Sequence, residues 1–273
     1  MTTQPPPTSL TMPTMFPANP LWGDQRTINY RENTNSTISF FTEKAALAPY
    51  LPKGIVVPDE PLVMVTYGAC LGVAEMGDDG YNLVSVTVAA RWEGAEETQE
   101  GDLSLVIWES KFPPVTIGRD MVGYPKLVAE VPDLRMGDGR WSWHVSESGV
   151  CFLEGELWDL EPLGEDAVAA LKQAGVSDFG SGGLHMTYRV VPGPNYDDEP
   201  VVADVYGVVH RDDPKEAWTC KGSLTWHEVT PRACYFFYGI VEALRKLPVV
   251  RYGDCLITRG PHLIELGKSR PLR

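Results

Sequence analysis

Residues 112–131 read FPPVTIGRDMVGYPKLVAEV. Within this stretch Lys126 follows the Tyr124-Pro125 pair and stands among apolar and aromatic neighbours. Pro125 fixes its own φ, and Gly118 and Gly123 permit tight turns or the close approach of a ligand. A lysine that attacks a carbonyl must first shed its proton, and burial in an apolar pocket destabilises the ammonium form without a second charge. The same residues also fit a strand-end lysine whose stem lies on apolar surface while its head reaches water.

Outward from this segment, short apolar runs alternate with turn signals. TISFF (37–41), LVMVTYGACLGVA (62–74), NLVSVTVAARW (82–92), DLSLVIWE (102–109) and KLVAEV (126–131) are strand-like on their upstream and central side. WSWHVSE (141–147), GVCFLEGELWDL (149–160), HMTYRVV (185–191), VVADVYGVVH (201–210) and GSLTWHEV (222–229) continue the pattern. Three stretches predict helices. TEKAALAPYL (42–51) is short, GEDAVAALKQAG (164–175) has acidic residues in its first turn and reads as a surface helix, and CYFFYGIVEALRKL (234–247) is apolar on nearly all sides and reads as a buried one. No linker divides the chain, so the expectation is an α+β fold built on a large, mostly antiparallel, barrel-like sheet with a few helices. Residues 1–24 form a Pro-rich N-terminal arm and residues 25–273 a single domain in this reading.

Composition narrows the function. Thirty-seven acidic against twenty-three basic residues give a formal charge of -14, which repels phosphate backbones and anionic lipid surfaces. Neither nucleic acid nor a membrane is expected as a partner, and any carboxylate ligand needs a local site that overcomes the global field. The five cysteines are odd in number and contain no C-x-x-C, so they read as reduced, mostly buried thiols, and a cytoplasmic location follows. Gly180-Ser181-Gly182-Gly183 precedes a strand rather than linking strand to helix, so it reads as a turn and not a phosphate loop. His144, His185, His210, His227 and His262 lack metal-binding helical spacing and read as isolated strand or surface residues, so no metal is expected. No G-x-S-x-G occurs.

The run Gly118-Arg119-Asp120 through Gly123-Tyr124-Pro125-Lys126 resembles the G-R-E-x-x-x-Y-P-K signature of the acetoacetate decarboxylase-like superfamily. DEPLVMVTYGA (59–69), Tyr81 with ARWEG (90–94), HMTYRVVPGPNYDDEP (185–200), KEAWTCKGSL (215–224) and LPVVRYGDCLI (247–257) resemble further segments of that family, over roughly residues 25–266. The resemblance implies a cofactor-free enzyme in which Lys126 forms a Schiff base with a keto acid. It also marks departures. Leu127 stands where true decarboxylases carry a second lysine, and Leu83 and Thr66 stand where they carry acidic residues. Their N-terminal-strand arginine falls on Asn33 without gaps and on Arg31 only with a shift.

What the resemblance then implies is a lyase acting on 2-oxo acids: a pyruvate aldolase-dehydratase taking an aldehyde co-substrate, or a hydratase of unsaturated 2-oxo acids. Its alternatives are a decarboxylase that relies on a desolvated lysine and a non-catalytic binder of a small carboxylate. Such chemistry needs a proton shuttle and a carboxylate anchor. Tyr252, in a stretch resembling a family segment near the lysine, is the first candidate for the shuttle and Tyr81 the second, each with the alternative of a hydrogen-bonded buried tyrosine. Arg119 either holds the carboxylate or pairs with an acid to fix its loop, and Arg31 is a further anchor candidate. Glu75 and Asp79, in a Gly-rich turn, read as solvated. The family's habit and the Pro-rich arm imply a homo-oligomer, a tetramer or larger.

Overall fold

The computed structural model describes residues 26–174, 184–195 and 197–273. The proposed arm over residues 1–24, Gly175 and the turn at 180–183 lie outside the described residues. The first half contributes β1 (Ile28–Phe41), β2 (Ile55–Val56), β3 (Leu62–Val73), β4 (Asp79–Glu93), β5 (Thr98–Glu109) and β6 (Lys126–Val128). The middle adds β7 (Arg135–Gly137), β8 (Arg140–Glu147), β9 (Val150–Pro162), β10 (Leu184–Val191) and β11 (Val202–Val208). The last part adds β12 (His210–Asp212), β13 (Glu216–Trp226), β14 (Arg251–Tyr252), β15 (Cys255–Ile264) and β16 (Arg270–Pro271). Four α-helices accompany them: α1 (Lys44–Leu47), α2 (Phe112–Val122), α3 (Glu165–Ala174) and α4 (Tyr238–Arg245).

All described strands join one sheet, with the main order β16-β11-β10-β5-β4-β3-β1-β15-β13-β9-β8-β7. Pairing is antiparallel except where β5 meets β10 and β6, so the fold is α+β on a mostly antiparallel sheet, as expected from the strand-and-turn spacing. The hydrogen-bonded path stays open. The chain nevertheless passes directly from β11 through Val209 to β12, which pairs with β15. The run from β11 round to β15 therefore curls back toward its own start.

The central strands are buried on both faces: in β4, Val84, Val86 and Val88 alternate with Ser85 and Thr87, and all five are inaccessible to water. This explains the nearly continuous apolar reading of 82–92. The main core gathers Trp108, Phe152, Leu153, Leu157 and Ile257 with Val241 and Leu244 from α4. A smaller cluster forms around Tyr30, Tyr81, Ile107, Tyr124 and Ile264. Among the described residues no helix is long and apolar enough to cross a membrane. The five cysteines are free thiols, with Cys70, Cys234 and Cys255 buried.

Three local expectations change. Residues 112–122, from which no helix was expected, form α2: Pro113 and Pro114 occupy its first turn, where their missing N–H groups cost nothing. Gly123 ends it at φ 73°, with Gly123 N–H donating to the Arg119 carbonyl in a left-handed cap and Tyr124 N–H donating to the Gly118 carbonyl. KLVAEV shortens to the three residues of β6. The stretch 234–247 is helical only from Tyr238, and Tyr235 (76% exposed) and Phe236 (78% exposed) face water from the preceding turn rather than being buried. By contrast α3 has no buried residue, as a surface helix should.

Gly101 shows how tightly β5 and β10 approach, because a Cβ there would lie 1.8 Å from the Leu184 carbonyl oxygen. Gly101→Ala is expected to destabilise the protein by more than about 2 kcal/mol. Urea unfolding checks this, and an unchanged midpoint would contradict the observed spacing of these strands.

Candidate active site

Lys126 opens β6, and the parallel register sets it beside Ile107 of β5, two residues before Glu109. Its side chain turns under α2. Gly118 makes room for it, since a Cβ at that position would come within 2.6 Å of the Lys126 Cδ and 3.0 Å of Nζ. Lys126 is 7% exposed and Glu109 is fully buried, and their charged groups meet at 2.7 Å (Nζ to Oε1). Nζ also donates to the Pro114 carbonyl at 3.3 Å. The pair is a close ionic contact without aligned hydrogen-bond geometry, and neither Glu109 oxygen takes an aligned hydrogen bond from another group.

Burial raises the Glu109 carboxyl above the usual carboxylate range, and the adjacent Lys126 charge opposes that rise. Glu109 therefore has a strengthened affinity for a proton and sits within one hydrogen-bond length of the amine. The arrangement can move a proton off the lysine without solvent.

The amine faces a cavity of about 50 Å3 whose wall includes Tyr30, Tyr81, Tyr124, Ile117 and Met121. Behind it lies a chamber of about 20 Å3, bordered by Lys126 and the same three tyrosines together with His210 and His262. Tyr30 and Tyr81 share a hydrogen bond between their hydroxyls at 3.1 Å. Burial pushes all three phenols well above their usual range, so they are protonated and available as donors at neutral pH. The Tyr124 hydroxyl lies 2.6 Å from His210 Nε2 and 3.3 Å from His185 Nδ1. Burial, followed by His185, His262 and Lys126 nearby, holds His210 well below the usual imidazole range.

Of the residues singled out from sequence, the structure brings together Lys126 and Tyr81. Arg119 stands next to the lysine differently: its guanidinium donates to the Lys126 carbonyl at 3.1 Å and borders an open groove outside the Tyr81 cavity. Arg31 is exposed and lies over Gly72. A register shift between Tyr30 and Asn33 turns those two residues inward instead, and Asn33 borders the inner chamber. Tyr252 is not near the lysine. It pairs with Phe40 on β1, ten residues beyond Tyr30, a distance of roughly 30 Å along an extended strand. It is 42% exposed, and its hydroxyl accepts from the Leu224 N–H.

The apolar departures are in place as well. Leu83 borders the inner chamber, while Leu127, on the other face of β6, packs against the main core. Thr66 is buried and bonded to the Thr37 hydroxyl at 2.8 Å. Glu75 is not simply solvated: it borders the outer cavity and accepts from the Asn29 backbone and side-chain N–H groups. Asp79 is exposed and paired with Lys111, which lowers its carboxyl. Three histidines read as isolated are gathered in one interior cluster, because β10, β12 and β15 converge there. Glu109 was missed, although an acid closing the apolar run DLSLVIW was a visible signal. Among the described residues, metal-ligand atoms also converge at Cys151, Glu154 and His227, where His227 Nε2 and a Glu154 oxygen are 3.0 Å apart on the protein surface.

The model of the family described as Acetoacetate decarboxylase (ADC) matches residues 11–255. A structure described as acetoacetate decarboxylase superposes with a TM-score of 0.71 at 16% identity, covering 97% of this chain and 95% of that one. The acetoacetate decarboxylase of Legionella pneumophila gives 0.69 at 17% identity over 90% and 87%. The enduracididine biosynthesis enzyme MppR, complexed with pyruvate, gives 0.64 at 14% identity over 90% of each chain. At such identities the likeness is one of fold. No curated protein matches the chain.

Replacing Lys126 tests the ion pair. Lys126→Met leaves Glu109 buried without its cation, and breaking such a pair costs about 3–5 kcal/mol. A carboxyl raised in the folded state contributes stability that is fully present below its unfolded value and is lost as pH rises through its folded value. The deficit of the variant relative to wild type should therefore be larger at pH 8 than at pH 5. Urea midpoints at both values check this, and equal deficits would mean Glu109 is not held by Lys126.

Proposed function

Because the chain belongs to the acetoacetate decarboxylase (ADC) family, we propose that it is a lyase in which the Lys126 amine condenses with the carbonyl of a small 2-oxo acid. One observation carries this reading: a buried lysine, 2.7 Å from a fully buried carboxylate, faces a mostly apolar cavity. Glu109 takes one proton, and the freed amine attacks the carbonyl carbon. Iminium formation then moves two protons in all from the nitrogen to the carbonyl oxygen, which departs as water with no change of oxidation state.

The cavity sets the size of the substrate. At about 50 Å3 it has room for roughly four water-sized groups, which suits a three- or four-carbon oxo acid. Among the described residues that line it, the protonated phenols of Tyr30, Tyr81 and Tyr124 and the hydroxyl of Thr27 are the side-chain donors available to a substrate carboxylate or oxyanion besides Lys126 itself. No arginine lines it among those residues, which argues for a weakly held carboxylate whose residence depends on the covalent bond.

The iminium is an electron sink. Loss of a C3 proton gives an enamine, which adds to an aldehyde carbonyl. Elimination of the new hydroxyl as water gives an unsaturated 2-oxo acid, and hydrolysis frees Lys126. The reverse sequence is hydration and retro-aldol cleavage. Leu83, bordering the inner chamber in place of an acidic group of decarboxylases, favours this course over loss of carbon dioxide. The structures of MppR complexed with pyruvate and with the condensation product of pyruvate and imidazole 4-carboxaldehyde are consistent with it. The working unit in this reading is residues 25–273 acting as a homo-oligomer, for which the exposed Tyr235 and Phe236 offer apolar contact surface.

Incubation with pyruvate and borohydride is expected to leave a reduced pyruvate adduct on wild type, read by intact-protein mass, and none on Lys126→Ala. Gly118→Ala, whose added methyl must displace the lysine side chain, should fold normally and trap at least about tenfold more slowly, since misplacement of about 1 Å costs up to about a hundredfold. Release of carbon dioxide from acetoacetate would favour a decarboxylase, and no adduct with either oxo acid would leave a non-covalent carboxylate binder.

A further inference from the structure

Behind Lys126 the cavity narrows to the chamber of about 20 Å3, room for about one water. Two imidazoles border it, His210 from β12 and His262 from β15, with ring centroids 5.1 Å apart, and His185 from β10 lies next to His210 at 4.9 Å. His262 is anchored through Nδ1 to Asp212 at 2.8 Å. The only one of these rings within 3.0 Å of the Tyr124 hydroxyl is His210, through Nε2 at 2.6 Å.

A phenol held above its usual range keeps its proton, and an imidazole held below its usual range is neutral. In the tautomer with its proton on Nδ1, His210 Nε2 accepts from the Tyr124 O–H. Tyr124 borders both the outer cavity and the inner chamber, whereas His210 borders only the inner one. Buried imidazoles lose hydration that must be replaced by partners, and this group of three is placed where a proton leaving the substrate has somewhere to go.

Resting on the Schiff-base reading above, we propose that Tyr124, backed by His210, is the base that takes the C3 protons of the Lys126-bound oxo acid in turn and passes them to the aldol oxygen, which leaves as water. The C3–H bond breaks toward the Tyr124 oxygen while the Tyr124 O–H proton passes to His210 Nε2. The electron pair of the C–H bond forms the enamine C=C, and the C=N electrons settle on nitrogen. The iminium loses its positive charge as His210 gains one, so charge and electrons balance without an oxidant. When the enamine adds to the aldehyde, the imidazolium returns its proton through Tyr124 to the new alkoxide. The same pair then takes the second C3 proton and delivers it to the hydroxyl, which leaves as water into the chamber. Glu109 serves the nitrogen and the Tyr124–His210 pair serves carbon and oxygen, so two proton acceptors near one amine have separate tasks.

Exchange of the pyruvate methyl protons in D2O, followed by NMR, reads enamine formation alone, while borohydride trapping reads iminium formation. Wild type should do both. His210→Gln should trap pyruvate at close to the wild-type rate but exchange it at least about tenfold more slowly, within the range usual for a general base, and Tyr124→Phe, which also removes a donor to the substrate, should slow exchange at least about tenfold more than it slows trapping. The double variant should be no slower than the slower single one, as expected for two groups acting as a unit. Wild-type exchange in both single variants would overturn the proposal, as would loss of trapping and exchange in equal measure, which is the signature of a merely structural role. Trapping without exchange in wild type would overturn it while leaving the Schiff-base reading intact, and absence of trapping in wild type would remove both.

Discussion

The structure around the site depends on one contact, the 2.7 Å approach of Lys126 to the fully buried Glu109. Neither charge can be held alone in this interior, because an unpaired buried ion is strongly destabilising. Each therefore constrains the other's backbone. Glu109 ends β5 and Lys126 begins β6, and the parallel register between those strands brings them together. The sixteen residues between them must then leave the sheet and return within a short span. They do so by α2, with two prolines in its first turn and a left-handed glycine at its end.

The return is tied down from several directions. Thr187 Oγ1 donates to the Val122 carbonyl and Arg189 to the Asp120 carbonyl, so β10 holds the last turn of α2. Arg119 reaches forward to the Lys126 carbonyl. Conserving the position of one ammonium group thus engages a helix, two parallel strand contacts and a guanidinium. Gly118 completes this arrangement, since the lysine stem passes where its side chain would have been. The residues of the G-R-D and Y-P-K motif are accordingly a packing solution as much as a chemical one: only Lys126 and Tyr124 of the set face the cavity with reactive groups.

Much of this was legible in the sequence, and the limits have physical causes. The strands were readable because turn residues recur between short apolar runs, and Lys126 because a lone cation within an apolar segment is costly unless it is used or paired. Helix α2 was obscured by prolines and glycines that, taken singly, break helices, and here mark its two ends. His210 and Tyr30 carry no local sign of their role, and the acid that closes DLSLVIW does not by itself name Lys126 as its partner, since their meeting depends on strand order across the whole sheet. Tyr252 illustrates the converse. A tyrosine in a family-like segment was expected beside the lysine, but the length of β1 separates the two ends of the sheet at which Tyr30 and Tyr252 lie.

Net charge sets a final constraint on how the site works. A protein carrying -14 repels an anionic oxo acid at distances shorter than the screening length, about 8 Å at physiological salt. The cavity adds a buried carboxylate to that field, yet also presents Lys126 and protonated phenols. Once Glu109 accepts a proton, the same transfer that makes the amine nucleophilic also removes the negative charge nearest the incoming carboxylate. In the proposed reaction the ion pair is thus converted into two neutral groups as the substrate's own charge enters. When the carbonyl oxygen leaves as water it takes the Glu109 proton with it, so the iminium faces a carboxylate again and the site regains the net charge it had before the substrate entered.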